Sequence, residues 1–296
     1  MSKILRALTN AVGGLLAVLM ASPAFAAWQL NMRPGVTEVS RRAYSLHMEV
    51  FLICVAIAVV VFGVIIYSVV KFRHSKGAVP DITLLHSTKV EIVWTAVPII
   101  ILVAMAIPAA DALIRLEDTR NAQLTIKVTG YQWKWEYEYL DQKVDFFSTL
   151  ARDSNAARQK GSGVDVNTVP NYLLAVDKPL VVPVGKKVRI LLTAGDVIHS
   201  WWVPAFGIKR DAIPGFVNET WFNADEVGIY RGQCAELCGR DHGFMPVVVE
   251  VKSQADFDVW LKEQQGANAP AATGGASSPD SSGDAASAAA SSAAAT

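Results

Sequence analysis

The chain has 296 residues, 52% hydrophobic and 18% charged, with a formal net charge of +0. That balance is too apolar for an ordinary soluble protein and directs attention to membrane segments. Without a basic excess or a phosphate-cradling glycine motif, nothing argues for nucleic acid. The chain opens like a secretory signal: Lys3 and Arg6, an apolar stretch over about 11–21, and Ala24-Phe25-Ala26 before a cleavage point at Ala27. A first membrane helix fits less well, because Thr9, Asn10 and two glycines interrupt the stretch and Pro23 ends it. The signal is assigned to 1–26 and a membrane hairpin to 27–118. Its two apolar runs, about 46–70 and 90–114, are each long enough to cross a hydrocarbon core of about 30 Å as a helix. Pro98 and Pro108 lie inside the second run, where a membrane helix tolerates them. The connection carries Lys71, Arg73, Lys76 and Lys89 against Asp81, which favours the cytoplasmic side. Arg33, Arg41 and Arg42 oppose that orientation, but a cleaved signal puts the mature N-terminus and everything after about 115 outside.

Residues 119–265 read as an outer β domain. Val and Ile alternate with polar residues in Leu124–Thr129, Lys187–Leu192 and Val247–Val251, with turn residues between such runs. Several short strands predict a sandwich or Greek-key barrel. Asp256–Gln264 predicts a short helix with Phe257, Trp260 and Leu261 on one face. From 266 to 296 the chain is largely Ala, Ser, Gly and Pro, a composition that predicts a disordered tail.

Three cysteines, Cys54, Cys234 and Cys238, make no disulfide framework, and the last two share one loop. Between Cys234 and Met245 that loop holds two thiols, the imidazole of His242 and a thioether. His199 lies upstream, just after the predicted strand Val188–Leu192. A sandwich can bring such strand ends to one pole. Soft thiolate and thioether donors with imidazole favour copper. A single-copper site needs one Cys; a second lets two thiolates bridge two metals, each keeping one His, with Met245 and a backbone carbonyl in axial positions. A Cys234–Cys238 disulfide and a structural Cys₂His₂ zinc site remain alternatives, though neither accounts for Met245.

The pattern Cys-x-Glu-x-Cys-x₃-His-x₂-Met resembles cytochrome c oxidase subunit two. So do Gly130-Tyr-Gln-Trp-Lys-Trp-Glu-Tyr-Glu-Tyr139, Asp196-Val-Ile-His-Ser-Trp201 and Lys209-Arg-Asp-Ala-Ile-Pro-Gly215. The resemblance runs from the first membrane helix to about residue 262. It implies a two-helix transmembrane hairpin and an all-β cupredoxin-like Greek-key sandwich on the periplasmic side of a bacterial inner membrane. It implies dinuclear copper held by His199, Cys234, Cys238, His242, Met245 and the backbone carbonyl of Glu236. The Glu236 carboxylate would reach a magnesium or manganese ion shared with the catalytic subunit one; a third subunit is a further expected partner. Electrons would come from cytochrome c and leave to a haem in the partner, which reduces O₂ to water and pumps protons. No Cys-x-x-Cys-His haem attachment is present, so no fused cytochrome c domain is expected.

Tyr131, Trp133, Trp135, Tyr137 and Tyr139 occupy alternate positions, which predicts five aromatics on one face of a strand, mostly as core. The resemblance singles out Trp133 as the aromatic that receives the electron. It makes Asp177 and Asp196 candidates for docking a lysine-rich cytochrome c, and Glu91 the mouth of a proton channel. The chain departs from the family at Tyr131, where His is frequent, and at Lys134, where an aromatic is common. It also departs at Gly195, where an acid is common, and at Phe216, where some members carry arginine. Cys54, mid-membrane, is read as packing, and His47, His74 and His86 as structural or interfacial. Two rival readings are a quinol-oxidase-type subunit, which would lack the copper ligands, and a stand-alone membrane-anchored copper-binding or delivery protein. A third is a zinc-stabilised module without redox function.

Overall fold

The computed structural model describes residues 31–79, 83 and 86–268. The signal segment and its cleavage point lie outside the described residues, as does the tail beyond 268. Two long helices come first, α1 (Glu38–Lys71) and α2 (Thr88–Leu116). Both start before the apolar runs. Thr37 caps α1 through a capping box, its hydroxyl accepting from Ser40 N at 3.0 Å and the Ser40 hydroxyl accepting from Thr37 N at 3.0 Å. At 1.5 Å per residue α1 is about 51 Å long, so its first turns rise well clear of a hydrocarbon core of about 30 Å. Apolar side chains such as Val59, Val60, Ile66, Leu102 and Ile107 are exposed along both helices, as lipid or a partner requires. Cys54 lines the apolar groove between them with Val61, Trp94 and Pro98. At the outer end Asp111 of α2 pairs with Arg42 of α1 at 3.4 Å and Arg115 at 3.1 Å.

The β domain is a sandwich of two five-stranded sheets. In chain order its strands are β1 (Leu124–Tyr131), β2 (Lys134–Tyr139), β3 (Val144–Ser148), β4 (Leu180–Pro183) and β5 (Lys187–Ala194). They continue as β6 (His199–Val203), β7 (Ile208–Ala212), β8 (Asn218–Asn223), β9 (Gly228–Cys234) and β10 (Pro246–Lys252). One sheet runs β3-β2-β1-β5-β8 and the other β4-β10-β9-β6-β7. A short helix α3 (Arg152–Ala157) lies between β3 and β4, and α4 (Gln254–Asn268) ends the described chain. The helix therefore takes in 266–268, which the composition had assigned to the tail.

Period-two patterning builds the core. In β5 and β2 buried and half-buried residues alternate along the strand, and Trp135, Tyr137, Ile190 and Leu192 turn inward with Phe222 of the same sheet, against Trp201, Val247 and Val249 of the other. The Tyr139 hydroxyl ties the sheets together, donating to Val181 O at 2.6 Å and accepting from Val181 N at 2.9 Å. Burial pushes that phenol well above its ordinary pKa, so it stays a neutral donor.

The aromatic run is not one strand. β1 ends at Tyr131, Gln132 and Trp133 form a two-residue turn, and β2 begins at Lys134, which pairs with Tyr131. The turn resets the alternation. Trp135, Tyr137 and Tyr139 are buried, while Tyr131 shares the outer face with Lys134, Glu136 and Phe147.

The helices are docked on the sandwich. Thr37 Oγ1 donates to Phe206 O at 2.8 Å, Val36 N to Ala205 O at 3.0 Å, and Trp221 Nε1 to Arg115 O at 3.3 Å. Where α2 meets the domain, Glu219 of β8 accepts from Arg189 Nε of β5 and Thr119 Oγ1, each at 3.0 Å. Arg189 holds this carboxyl below its ordinary pKa, against burial, which acts the other way. A depressed folded-state pKa stabilises above the unfolded value, and that contribution is lost as pH falls through the folded one. Glu219→Gln is therefore expected to cost under about 1 kcal/mol at neutral pH. The difference from wild type should vanish at acid pH, read by denaturant unfolding at both.

Candidate metal centre

The pole of the sandwich is where several strands end together: β1 at Tyr131, β5 at Ala194, β9 at Cys234, with β6 starting at His199 and β10 at Pro246. His199 is the first residue of β6 rather than a residue trailing β5; a turn through Asp196 separates the two strands. β6 and β9 pair directly, Trp201 with Cys234, and this sets His199 beside the cysteine loop.

The donors converge. Cys234 Sγ is 3.8 Å from Cys238 Sγ and 4.0 Å from His199 Nδ1. Cys238 Sγ is 3.5 Å from His242 Nδ1 and 3.6 Å from Met245 Sδ. The Glu236 carbonyl oxygen lies 3.3 Å from Cys234 Sγ. His199, Cys234, Cys238 and Met245 are buried; the Glu236 side chain is exposed. Two thiols in the middle, one imidazole at each end, and a thioether and a carbonyl at the flanks form a soft, water-poor nest that fits copper. The thiols are free rather than disulfide-bonded.

Each donor has a physical hold. The His199 Nε2 side meets Asp196 Oδ1 at 2.9 Å, so Nδ1 is left to face the thiols. Asp196 is in turn fixed by Gln132 N at 2.7 Å and Val197 N at 2.6 Å. The His199 ring lies against Gly130, where a Cβ would stand 2.8 Å from His199 Cδ2, and edge-on to Trp135 at 5.9 Å. Trp135 Nε1 donates to Met245 O at 3.3 Å. Sequence reasoning took Trp135 as core alone; its alternating position gave no sign that its N–H steadies the thioether residue.

Charge is balanced around the thiols. Burial opposes ionisation of Cys234, but His199 and nearby backbone groups outweigh it and lower the pKa. Burial, then repulsion from Cys234, push the Cys238 thiol up. Burial would lower His199, yet Cys234 and Asp196 raise it on balance. The metal-free site thus favours one thiolate, and a cation that takes both must displace a proton, so uptake strengthens as pH rises.

Trp133 touches this loop. Its Nε1 donates to Cys238 O at 3.2 Å, and Gln132 Nε2 donates to the same oxygen at 2.9 Å. Gln132 was not singled out from sequence. Arg240 stacks on the Trp133 ring at 5.6 Å, and Lys134 lies over Phe147 at 3.8 Å. A side chain at Gly195 would collide with the Tyr131 ring, so the two departures at 131 and 195 are one steric feature. Asp177 accepts from Thr149 N at 2.7 Å and from Thr149 Oγ1 at 3.0 Å, beyond the end of β3 that pairs with Trp135. Glu91, far off at the other end of α2, accepts from Ser87 N at 3.2 Å and shares a groove with Thr88 and Thr95.

A β-sandwich on a membrane hairpin, with a buried soft-donor nest at one pole, defines a membrane-anchored electron-transfer protein of cupredoxin-like build. Two family models match: "Cytochrome C oxidase subunit II, periplasmic domain" over residues 124–252, and the corresponding transmembrane domain over residues 25–111. A Rickettsia bellii protein named "Probable cytochrome c oxidase subunit 2" is 40% identical over 262 residues, spanning 87% of this chain and 92% of the relative. The Cereibacter sphaeroides cytochrome c oxidase subunit 2 is 37% identical over 244 residues, spanning 80% of each. A crystal structure of the periplasmic domain of subunit II of cytochrome oxidase from Bradyrhizobium japonicum aligns at 44% identity with a TM-score of 0.44, covering 51% of this chain and 99% of that one. The chain belongs to the cytochrome c oxidase subunit II family, the subunits through which electrons enter a haem–copper oxidase. Membership implies a copper centre and a complex with other oxidase subunits.

Proposed function

We propose that the pole would hold two copper ions, the thiolates of Cys234 and Cys238, the imidazoles of His199 and His242, the Met245 thioether and the Glu236 carbonyl supplying the donors. The observation that carries this is the chain of donors from His199 Nδ1 through Cys234 and Cys238 to His242 Nδ1, no step longer than 4.0 Å. Such a copper pair, when bound, stores one electron shared between two metals with little change in geometry. The protein's part is to keep the donors packed and dry, so that little reorganises on transfer.

Trp133 is the receiving group for cytochrome c. Its ring is only part-buried, and its N–H reaches the carbonyl of a thiolate ligand residue. Asp177 and Asp196 add negative charge at the same end of the sandwich and steer a basic partner. Ile198, beside His199, and Leu237, between the two cysteines, are exposed apolar residues that suit a contact with the catalytic subunit. The exposed Glu236 carboxylate would supply one hard oxygen to a magnesium or manganese ion whose remaining ligands come from that subunit. Glu91, with Thr88 and Thr95 beside it, is the mouth of a proton path at the inner end of α2. Residues 1–26 are a cleaved signal, and residues 119–265 with the C-terminus lie on the periplasmic side.

The test is to express residues 119–265, load them with copper and record the EPR spectrum. Hyperfine structure from one electron shared by two equivalent copper nuclei is expected; a single-copper pattern, or no uptake, would sink the reading. Trp133→Ala should leave that spectrum intact while steeply slowing reduction by cytochrome c in stopped flow. A changed spectrum would make Trp133 a structural residue instead.

A further inference from the structure

His242 opens a single 3₁₀ turn, His242–Phe244, with Met245 at its C-cap, and backbone hydrogen bonds from His242 N to Gly239 O at 3.2 Å and Phe244 N to Asp241 O at 2.9 Å close it. Its N-cap residue, Asp241, makes no side-chain cap to the turn. The carboxylate points instead to Arg158, which follows α3 in the connection between β3 and β4. Arg158 Nη1 and Nη2 face Asp241 Oδ1 and Oδ2 at 3.4 and 3.5 Å, a fork-on-fork arrangement. The same guanidinium lies over the Phe244 ring, 4.2 Å from its centre. Asn155 braces it from behind, its Oδ1 accepting from Arg158 Nε at 2.8 Å. The pair is well sheltered, with side-chain exposures of 22% for Arg158 and 17% for Asp241, so water screens it less than a surface pair. The other cation on Asp241, Arg240, stands at 3.6 Å and is 82% exposed.

Asp241 immediately precedes one imidazole donor and Phe244 immediately precedes the thioether donor. One side chain therefore grips the turn at both points from which donors project. We propose that Arg158 is a positioning residue of the metal loop, clamping the His242–Met245 turn through the Asp241 carboxylate and the Phe244 ring. This rests on the copper reading above. Partners that orient metal ligands from behind are worth about 10–100-fold in metal affinity when removed. Lysine at 158 would keep the charge but lose the planar fork and the stacking.

The experiment uses the full chain in detergent, copper-loaded, with a copper chelator as competitor and EPR as the second readout. Arg158→Gln is expected to release copper at least about 10-fold faster and to alter the copper hyperfine pattern. Arg158→Lys should recover only part of both. Asp241→Asn removes the grip from the other side with little change in shape. It should act in the same direction as Arg158→Gln but less strongly, because the Phe244 contact remains, and the double variant should be no worse than Arg158→Gln alone, because the carboxylate contact is shared. Wild-type release and spectrum in Asp241→Asn, or fully additive losses in the double variant, would overturn the clamp while leaving the copper reading intact. A wild-type chain that takes up no copper would instead sink the reading on which the clamp depends.

Discussion

Cys238→Ser is expected to abolish the copper pair outright, in the soluble segment and in the membrane complex alike. Cys238 is the hub of the donor set: its sulfur lies within 3.8 Å of Cys234 Sγ, 3.5 Å of His242 Nδ1 and 3.6 Å of Met245 Sδ. Without it, His242 and Met245 lose the atom that connects them to Cys234 and His199. Serine keeps the shape but offers a hard hydroxyl that stays protonated at neutral pH and does not bridge soft metals. What remains is Cys234, the two imidazoles, Met245 and the Glu236 carbonyl, a one-thiolate set that can hold one ion but not a pair. Copper content should fall to one equivalent or less, and the shared-electron hyperfine pattern should disappear. Reduction by cytochrome c should be lost in step. The fold should survive, since Cys238, though buried, lies in a loop outside the strands and serine keeps its shape. A variant that still bound two coppers with an unchanged spectrum would show that the two thiols do not bridge.

Much of this site was legible because donor chemistry is written locally. Two thiols, an imidazole and a thioether in one loop declare a soft metal whatever the fold, and His199 was within reach once strands were expected to end at one pole. The membrane hairpin was equally plain, since long apolar runs have few other readings. Its true start at Glu38 was not. The capping box there uses serine rather than Glu or Gln at its third position, and the first turns are polar because they meet the β domain instead of lipid.

The aromatic run misled for a definite reason. Alternation looks the same in a continuous strand as in two arms of a two-residue hairpin, and neither Gln132 nor Trp133 is a usual turn residue. Only pairing reveals that Tyr131 faces out with Lys134 while Trp135 faces in. That turn is what delivers Gln132 and Trp133 to the Cys238 carbonyl, so the missed feature is a functional one. Arg158 was out of reach altogether: 83 residues separate it from Asp241, and no local pattern signals the contact.

Gly232→Ala is expected to damage fold and site together. Gly232 sits in β9 and its backbone is not in the left-handed region, so its need for glycine is not conformational. The need is space. A Cβ there would collide with the Trp202 carbonyl oxygen and stand 2.8 Å from the Trp202 carbonyl carbon. Both are backbone atoms of β6, which cannot swing aside as a side-chain tip could. Relief requires β6 and β9 to separate exactly where they pair, at Trp201–Cys234 and Trp202–Gln233. On the far side β10 holds β9 in register, with Val247 opposite Gly232, so β9 cannot retreat either. Overpacking of this kind costs about 3 kcal/mol, which for a domain of this size lowers the melting temperature by roughly 10 °C. The loss does not stop at stability, because β6 begins with His199 and β9 ends with Cys234. Spreading the strands stretches the 4.0 Å approach between His199 Nδ1 and Cys234 Sγ, so the imidazole and the thiol would no longer converge on one ion. Thermal unfolding of residues 119–265 by circular dichroism, with copper titration on the same sample, reads both effects. A Gly232→Ala variant that melted like wild type and bound copper as tightly would show that the two strands have room that this close approach denies them.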